Sequence, residues 1–321
     1  IDRKVSKLYP KLTDRWADNL ILEIDATEAN KELRTCETLL KKLVNVSFKK
    51  NMRLVAVGGG IIQDITSFTA SVLYRGINWV FMPTTLLAQA DSCVGSKTSI
   101  NFDGTKNLLG GFHPPKEIYC FLDFLKTLSP DDIKSGIGEI LHYYVVANSG
   151  KLEALMNNYE DVIVNRDSLQ DYIVESLIIK KEMVQKDEFD LNERRVFNYG
   201  HTFGHAIEVM SGFGVSHGQA VTLGMDMANF VAYYIGRITK NKLEELRSSI
   251  YKNIPNYKIQ PDQVDNFIEL LKKDKKSVKG AIVCILPNQD LGASVVQIDD
   301  AGMLKKAIVE FIKRQKGKEN V

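Results

Sequence analysis

The chain has 321 residues, 44% of them hydrophobic, with 42 Lys and Arg against 40 Asp and Glu and a net charge of +2. That balance excludes a strongly basic nucleic-acid-binding face, and the length suits two packed domains. Four scattered cysteines, Cys36, Cys93, Cys120 and Cys284, make no Cys-x-x-Cys pair; they read as buried or incidental thiols of a cytoplasmic protein, not as a disulfide framework.

In chain order, "RLVAV" (53–57) is a short β-branched run, then come Gly58, Gly59 and Gly60, then "IIQDITSFTASVLY" (61–74) with apolar residues at helical spacing. Strand, glycine turn and helix are expected. "WVFMP" (79–83) predicts a second strand stopped by proline, and "EIYCFL" (117–122) a third. The uncharged run 76–90 contains Pro83 and is too short to span a bilayer. This first part reads as an open α/β layer. At "TLSPDDIKSG" the texture changes. Ser129 suits a helix cap, with Pro130 at the first position and Asp131 and Asp132 in the first turn. Helical periodicity follows over 130–147, 168–186, 217–236 and 241–250. A hairpin-like pair, "AIVCIL" and "ASVVQI", precedes a last helix (299–313), and the tail "KRQKGKENV" is expected to fray. The domain boundary is expected near residue 127.

A strand running through glycines into a helix suits a dinucleotide pyrophosphate, since the backbone approaches closely and the helix N-terminus offers free N–H groups. The spacing here is not Gly-x-Gly-x-x-Gly, and a plain tight turn explains it equally well. "DSCVGSKTSINFDGTKNLLGGFH" (91–113) sets Lys97, Lys106, Asn101 and Asn107 among glycines. It reads either as an anion pocket or as an ordinary polar loop. In "FNYGHTFGHAIEVMSGFGVSHGQA" (197–220), His201 and His205 share a helix face and His217 follows twelve residues later. A catalytic zinc commonly takes three protein ligands and keeps a position open. The three histidines are one candidate set. Glu139, in "SGIGEILHYY", is an equally good donor on a helix whose glycines allow close packing, and spacing does not choose between it and His205.

"GGGIIQD", "YRG", "PTTLLAQADSCVGSKTSIN", "KNLLGGF", "TLSPDDIKSGIGE", "KKEMVQKDEFDLNERRVFNYGHTFGHAIE", "HGQAV" and "DKK" resemble, in order, the successive blocks of the 3-dehydroquinate synthase family of sugar-phosphate cyclases. The resemblance spans nearly the whole chain. It implies an α/β fold with a Rossmann-like NAD-binding domain (1–127), a mostly α-helical metal- and substrate-binding domain (128–321), and a homodimer with its active site between the domains. It implies zinc or cobalt on Glu139, His201 and His217. NAD contacts fall on Gly59, Gly60, Asp64, Thr84 and Thr85, with Asp91, Lys106 and Thr127 on the cofactor side and Asp2, Glu28 and Lys31 in a looser match near the adenosine. Asp91 and Lys180 match residues on substrate hydroxyls. Lys97, Arg194 and Asn198 match the carboxylate set, and Lys97, Asn107, His205 and Lys276 (or Lys275) the phosphate set, with Arg75 supplied by the partner subunit. The implied partner is a phosphorylated keto-acid sugar, 3-deoxy-arabino-heptulosonate 7-phosphate, with no nucleic acid and no membrane.

One position departs. Three residues after Glu139 the family usually carries lysine near the substrate; here it is His142. His142 is read as a hydrogen-bond donor to substrate, as the mark of a variant cyclase with another carboxylated substrate, or as a core-facing histidine in a less active site. Retention of Arg194 and Asn198 argues for a carboxylate on the substrate. A metal-dependent polyol dehydrogenase is the alternative enzyme, and a non-catalytic paralogue the alternative outside catalysis.

Overall fold

The computed structural model describes residues 1–272, 281–290 and 292–317. It divides into two compact units, Ile1–Ile133 and Lys134–Val321.

The first unit opens with α1 (Arg3–Leu8) and α2 (Pro10–Asp14), followed by α3 (Leu33–Asn45). Its central sheet is parallel and consists of β1 (Leu54–Gly58), β2 (Trp79–Pro83) and the two-residue β5 (Glu117–Ile118), in the order β1-β2-β5. Leu54 pairs with Trp79 and Gly58 with Pro83; Phe81 pairs with Ile118. Between β1 and β2 runs α4 (Gly60–Val72), so strand, glycine turn and helix occur as the sequence suggests. The third strand is much shorter than "EIYCFL". Its partner β2 ends at Pro83, and the chain turns into a 3-10 segment, Leu122–Thr127. Apolar packing sits on both faces: Val5, Val57 and Phe124 in one cluster, Cys36, Ile65 and Ile100 in another.

The stretch read as an anion pocket or polar loop is mostly an antiparallel hairpin, β3 (Lys97–Phe102) with β4 (Thr105–Phe112). Thr98 and Ile100 are buried between the exposed Lys97 and the half-buried Ser99 and Asn101, the alternation of a one-sided strand, which a register shift after Ile100 ends, leaving Phe102 exposed. Asp103 and Gly104 both take positive φ at its tip, as a two-residue hairpin turn requires.

Among the described residues the regular structure of the second unit is helical apart from the hairpin β6 (Ile282–Pro287) and β7 (Ala293–Ile298). Helix α5 (Pro130–Ala147) begins where the sequence places it. Ser129 Oγ accepts from the Asp132 N–H at 3.1 Å, and the Asp132 carboxylate accepts from the Ser129 N–H at 3.3 Å. There follow α6 (Lys151–Asn157), α7 (Tyr159–Val164), α8 (Gln170–Lys186), α9 (His201–Met210), α10 (His217–Tyr234), α11 (Lys240–Ser248), α12 (Val264–Lys272) and α13 (Ala301–Gly317). Helix α10 is buried around most of its circumference from Gly218 to Ala232, which makes it the axis of the unit. Within it Thr222 Oγ1 accepts from Asn253 at 2.7 Å, and Asp226 lies 3.3 Å from Arg247. Among the described residues no helix is long and apolar enough to cross a membrane.

Candidate metal centre and its surroundings

Three elements of the second unit meet around one carboxylate. Glu139 lies in α5, His201 opens α9 and His217 opens α10. Gly200 takes φ 81° to turn the chain into α9, a left-handed conformation that suits glycine. Helices α5 and α10 touch through Gly138 and Gly218, next to Glu139 and His217 in sequence, and the Gly218 N–H donates to Ser135 Oγ at 3.1 Å.

Glu139 is 2% exposed. Its Oε1 lies 3.1 Å from Nε2 of His217 and 3.5 Å from Nε2 of His201. Among the described residues this buried oxygen accepts a hydrogen bond from neither. The far nitrogens explain why. His201 Nδ1 sits 3.3 Å from the Tyr199 carbonyl, and His217 Nδ1 3.1 Å from Glu208 Oε2. Each Nδ1 faces an acceptor to which it can donate, so Nε2 is the atom that each imidazole turns toward Oε1 and the one free to ligate an ion once unprotonated. Three donors aimed at one point with outer partners on the imidazoles are the arrangement a divalent ion takes, so the residues fit zinc or cobalt. His205 belongs instead to a second grouping with Glu208 and His217. It is exposed, and its ring stacks at 5.7 Å on that of His217. Geometry therefore selects Glu139 over His205 for the buried triad.

Charge follows the same geometry. Burial pushes the Glu139 carboxyl upward, yet His201, His142 and His217 outweigh it and hold it well below the usual carboxylate range. Burial lowers His201 more than Glu139 raises it. For His217 burial is outweighed by Glu139 and Glu208, which raise it well above the ordinary imidazole value.

Around this centre, Arg194 is 5% exposed and its Nη1 donates to the Glu188 carbonyl at 2.5 Å. The bend that carries it is clamped by Asp187, whose carboxylate accepts from the N–H groups of Leu191, Asn192 and Arg194 at 3.0, 2.7 and 3.1 Å. Burial raises the Asp187 carboxyl, and those three N–H donors more than offset it. Asn198 closes the same turn by donating to the Arg195 carbonyl. Buried Lys180 lies over the Tyr143 ring at 5.9 Å.

In the first unit many of the expected residues form one polar chain. Lys31 Nζ meets Asp64 at 2.7 Å, and Asp64 accepts from the Ser99 N–H at 3.1 Å. Ser99 Oγ donates to Asn107 Oδ1, the Asn107 N–H donates to Asn101 Oδ1, and Asn101 Nδ2 donates to Glu28 at 2.8 Å; Lys106 lies 3.9 Å from the same carboxylate. Gly59 is the N-cap of α4, and a Cβ there would stand 2.9 Å from Thr85 Cγ2, whereas one on Gly60 would meet only Ser92 Oγ at 3.9 Å. The start of the thirteen-residue α4 is thus open to an anionic group, which fits a dinucleotide. Thr84 donates its N–H to the Gly58 carbonyl, and the Asp2 carboxylate caps α1 by accepting from the Lys4 N–H. Thr127 Oγ1 bonds the Tyr9 hydroxyl, Asp91 lies in the turn Ala88–Ser92, and Arg75 is exposed with φ 64°. Lys275 and Lys276 lie outside the described residues. The sequence reading missed Glu208 and Ser99. Glu208 was legible as the residue three after His205, on the same helix face; Ser99 carried no signal beyond its place in a strand.

Comparisons with known proteins agree with this picture. The family model described as 3-dehydroquinate synthase N-terminal matches residues 21–135, and the one described as 3-dehydroquinate synthase C-terminal matches 136–277. A 3-dehydroquinate synthase of Acetivibrio thermocellus is 35% identical over 90% of this chain and 81% of its own length; one of Sulfurovum is 36% identical over 91% and 83%. Among solved structures, a 2-epi-5-epi-valiolone synthase of Streptomyces hygroscopicus with NAD+ and Zn2+ bound superposes with a TM-score of 0.85 at 23% identity, covering 98% of this chain and 89% of that one. A 2-deoxy-scyllo-inosose synthase complexed with carbaglucose-6-phosphate, NAD+ and Co2+ gives 0.84 at 22%, over 96% and 89%. A probable glycerol dehydrogenase of Sinorhizobium meliloti gives 0.65 at 13%, over 98% and 89%.

Proposed function

The chain belongs to the 3-dehydroquinate synthase family, and we propose that it carries out that family's reaction, converting 3-deoxy-arabino-heptulosonate 7-phosphate to 3-dehydroquinate and inorganic phosphate. The observation that carries this reading is the convergence of Glu139, His201 and His217 on one point. Those three residues would hold zinc or cobalt, which would supply a Lewis acid to substrate oxygens. NAD+, assigned to the first unit around Gly59, Gly60, Thr84 and Thr85, would supply a reversible hydride acceptor.

The chain's own residues do the rest. Arg194 offers a planar fork to the substrate carboxylate, and Asn198 adds an amide. Its guanidinium arrives already anchored by the Glu188 carbonyl, so little freedom is lost on binding. Lys180 and Asp91 are assigned to substrate hydroxyls. Lys97, Asn107 and His205, with Lys276 and the partner subunit's Arg75, are assigned to the phosphate, where cationic and amide donors orient the leaving group and offset its charge. The active form is a homodimer, as the assignment of Arg75 requires.

Purified protein with NAD+ and zinc should release phosphate from the heptulosonate phosphate with no accumulation of NADH. Steady NADH formation with a polyol, and no phosphate release, would establish a dehydrogenase instead. A variant cyclase acting on another carboxylated sugar phosphate remains a second reading because His142 stands where the family carries lysine. Phosphate release across a panel of sugar phosphates, for wild type and His142→Lys, separates the two.

A further inference from the structure

We propose that His142 is a positioning residue for the metal site. Its Nδ1–H holds the Glu139 carboxylate so that Oε1 faces the two imidazoles, and its ring stays in the core without touching substrate. The inference rests on the metal reading above.

His142 is 1% exposed. Its Nδ1 lies 3.1 Å from the Glu139 carbonyl oxygen and 3.2 Å from Glu139 Oε2. A carbonyl and an ionised carboxylate both only accept, so Nδ1 must carry a hydrogen. The ring is wedged in place, 4.2 Å from Tyr143, edge-on to Phe197 at 5.7 Å and to His201 at 5.2 Å. It cannot swing its donor away without displacing those rings. Nε2 is buried and, among the described residues, has no hydrogen-bond partner, so nothing on that side competes for the orientation.

Each of the three metal donors then has an outer partner. Tyr199 fixes His201, Glu208 fixes His217, and His142 fixes Glu139. A carboxylate has two equivalent oxygens and a free torsion, so it gains most from such a clamp. A lysine at this position would bring four rotatable bonds and an ammonium in need of several acceptors, and could not fill the aromatic slot in the same way.

Zinc affinity, measured by competition with a chromogenic chelator on wild type, His142→Asn and His142→Leu, tests this. Asn and Leu have nearly the same shape, but only Asn keeps a donor where Nδ1 stands. The expected result is a loss of roughly 10–100-fold in zinc affinity for Leu and less than about threefold for Asn. Metal-free melting temperatures should be similar for the two variants. The visible spectrum of bound cobalt should be preserved in the Asn variant, a readout that stands even if the Leu variant does not fold. Wild-type affinity in the Leu variant, or an equal loss and altered cobalt spectrum in the Asn variant, overturns the positioning role. Failure of the wild type to bind zinc would instead overturn the metal reading itself.

Discussion

Gly138 and Gly218 stand in backbone contact: a Cβ built on Gly138 would lie 2.0 Å from the Gly218 carbonyl oxygen, and one on Gly218 would lie 1.8 Å from that of Ser135. No side chain fits. Because Glu139 follows the first glycine and His217 precedes the second, the closeness of α5 and α10 sets the distance between two of the proposed metal donors. Gly138→Ala and Gly218→Ala should each force the helices apart, at a cost of about 3 kcal/mol or more. Denaturant unfolding should register that loss, and zinc content should fall with it. A variant with full stability and full zinc would contradict the role given to this contact.

Removing the metal should stop the reaction without unfolding the chain, since the second unit has an apolar core of its own around α10. Dialysis against a chelator is expected to abolish phosphate release, and zinc or cobalt to restore it. Glu139→Gln keeps the shape and removes the charge on which the two imidazoles converge. Its phosphate release at saturating zinc should drop by at least about 10²-fold, in the range seen when one electrostatic contributor to a transition state is lost.

Much of this was readable beforehand, and the gaps have physical causes. The start of α5 was legible because its cap, its proline and its acidic first turn are local chemistry. Glu139 over His205 was not legible from spacing, because the choice depends on how α5 packs on α10, a contact between residues far apart in the chain. The β3–β4 hairpin was overlooked although Asp103-Gly104 is a strong turn signal flanked by alternating residues; the lysines and glycines around it drew the reading toward an anion loop. His142 stood out in the sequence only as a departure, and its bond to Glu139 needed the fold.

Asp64 and Lys31 were both expected at the cofactor, and they bind each other at 2.7 Å with little exposure. Burial raises the Asp64 carboxyl, while Lys31 and Ser99 oppose the rise. Asp64→Ala would leave the Lys31 ammonium buried without its carboxylate and cut the tie between α4 and β3. A stability loss of about 3 kcal/mol is expected, along with weaker NAD+ binding. Calorimetry should show both changes. Weaker NAD+ binding with unchanged stability would make Asp64 a cofactor contact alone.

Arg194→Lys keeps the positive charge and removes the planar fork. With a carboxylated substrate, kcat/KM should fall by roughly 10²-fold, the value of a charged hydrogen bond lost from a buried site. Zinc affinity should not change, because Arg194 has no part in the triad. If the carboxylated substrate is turned over equally well by wild type and variant, the guanidinium does not read a carboxylate and the substrate assignment is wrong.

The cysteines give a check on the fold that owes nothing to catalysis. Burial pushes the Cys36 thiol up to about 11 and that of Cys284 up to about 12, and Cys93 is only 1% exposed. Cys120 is exposed, and a hydrogen bond from the Cys93 thiol lowers it more than its partial burial raises it. The thiolate is the reactive form, so modification should speed up as pH rises, and for Cys120 the lowered thiol should shift that rise toward lower pH. An aromatic disulfide reagent at pH 8 should therefore titrate one thiol in the folded chain and all four after unfolding, with the fast phase absent in Cys120→Ser. Cys93→Ala should slow that phase at neutral pH by removing the hydrogen bond. Rapid reaction of two or more thiols in the folded protein would show that Cys93 is far less enclosed than its 1% exposure implies.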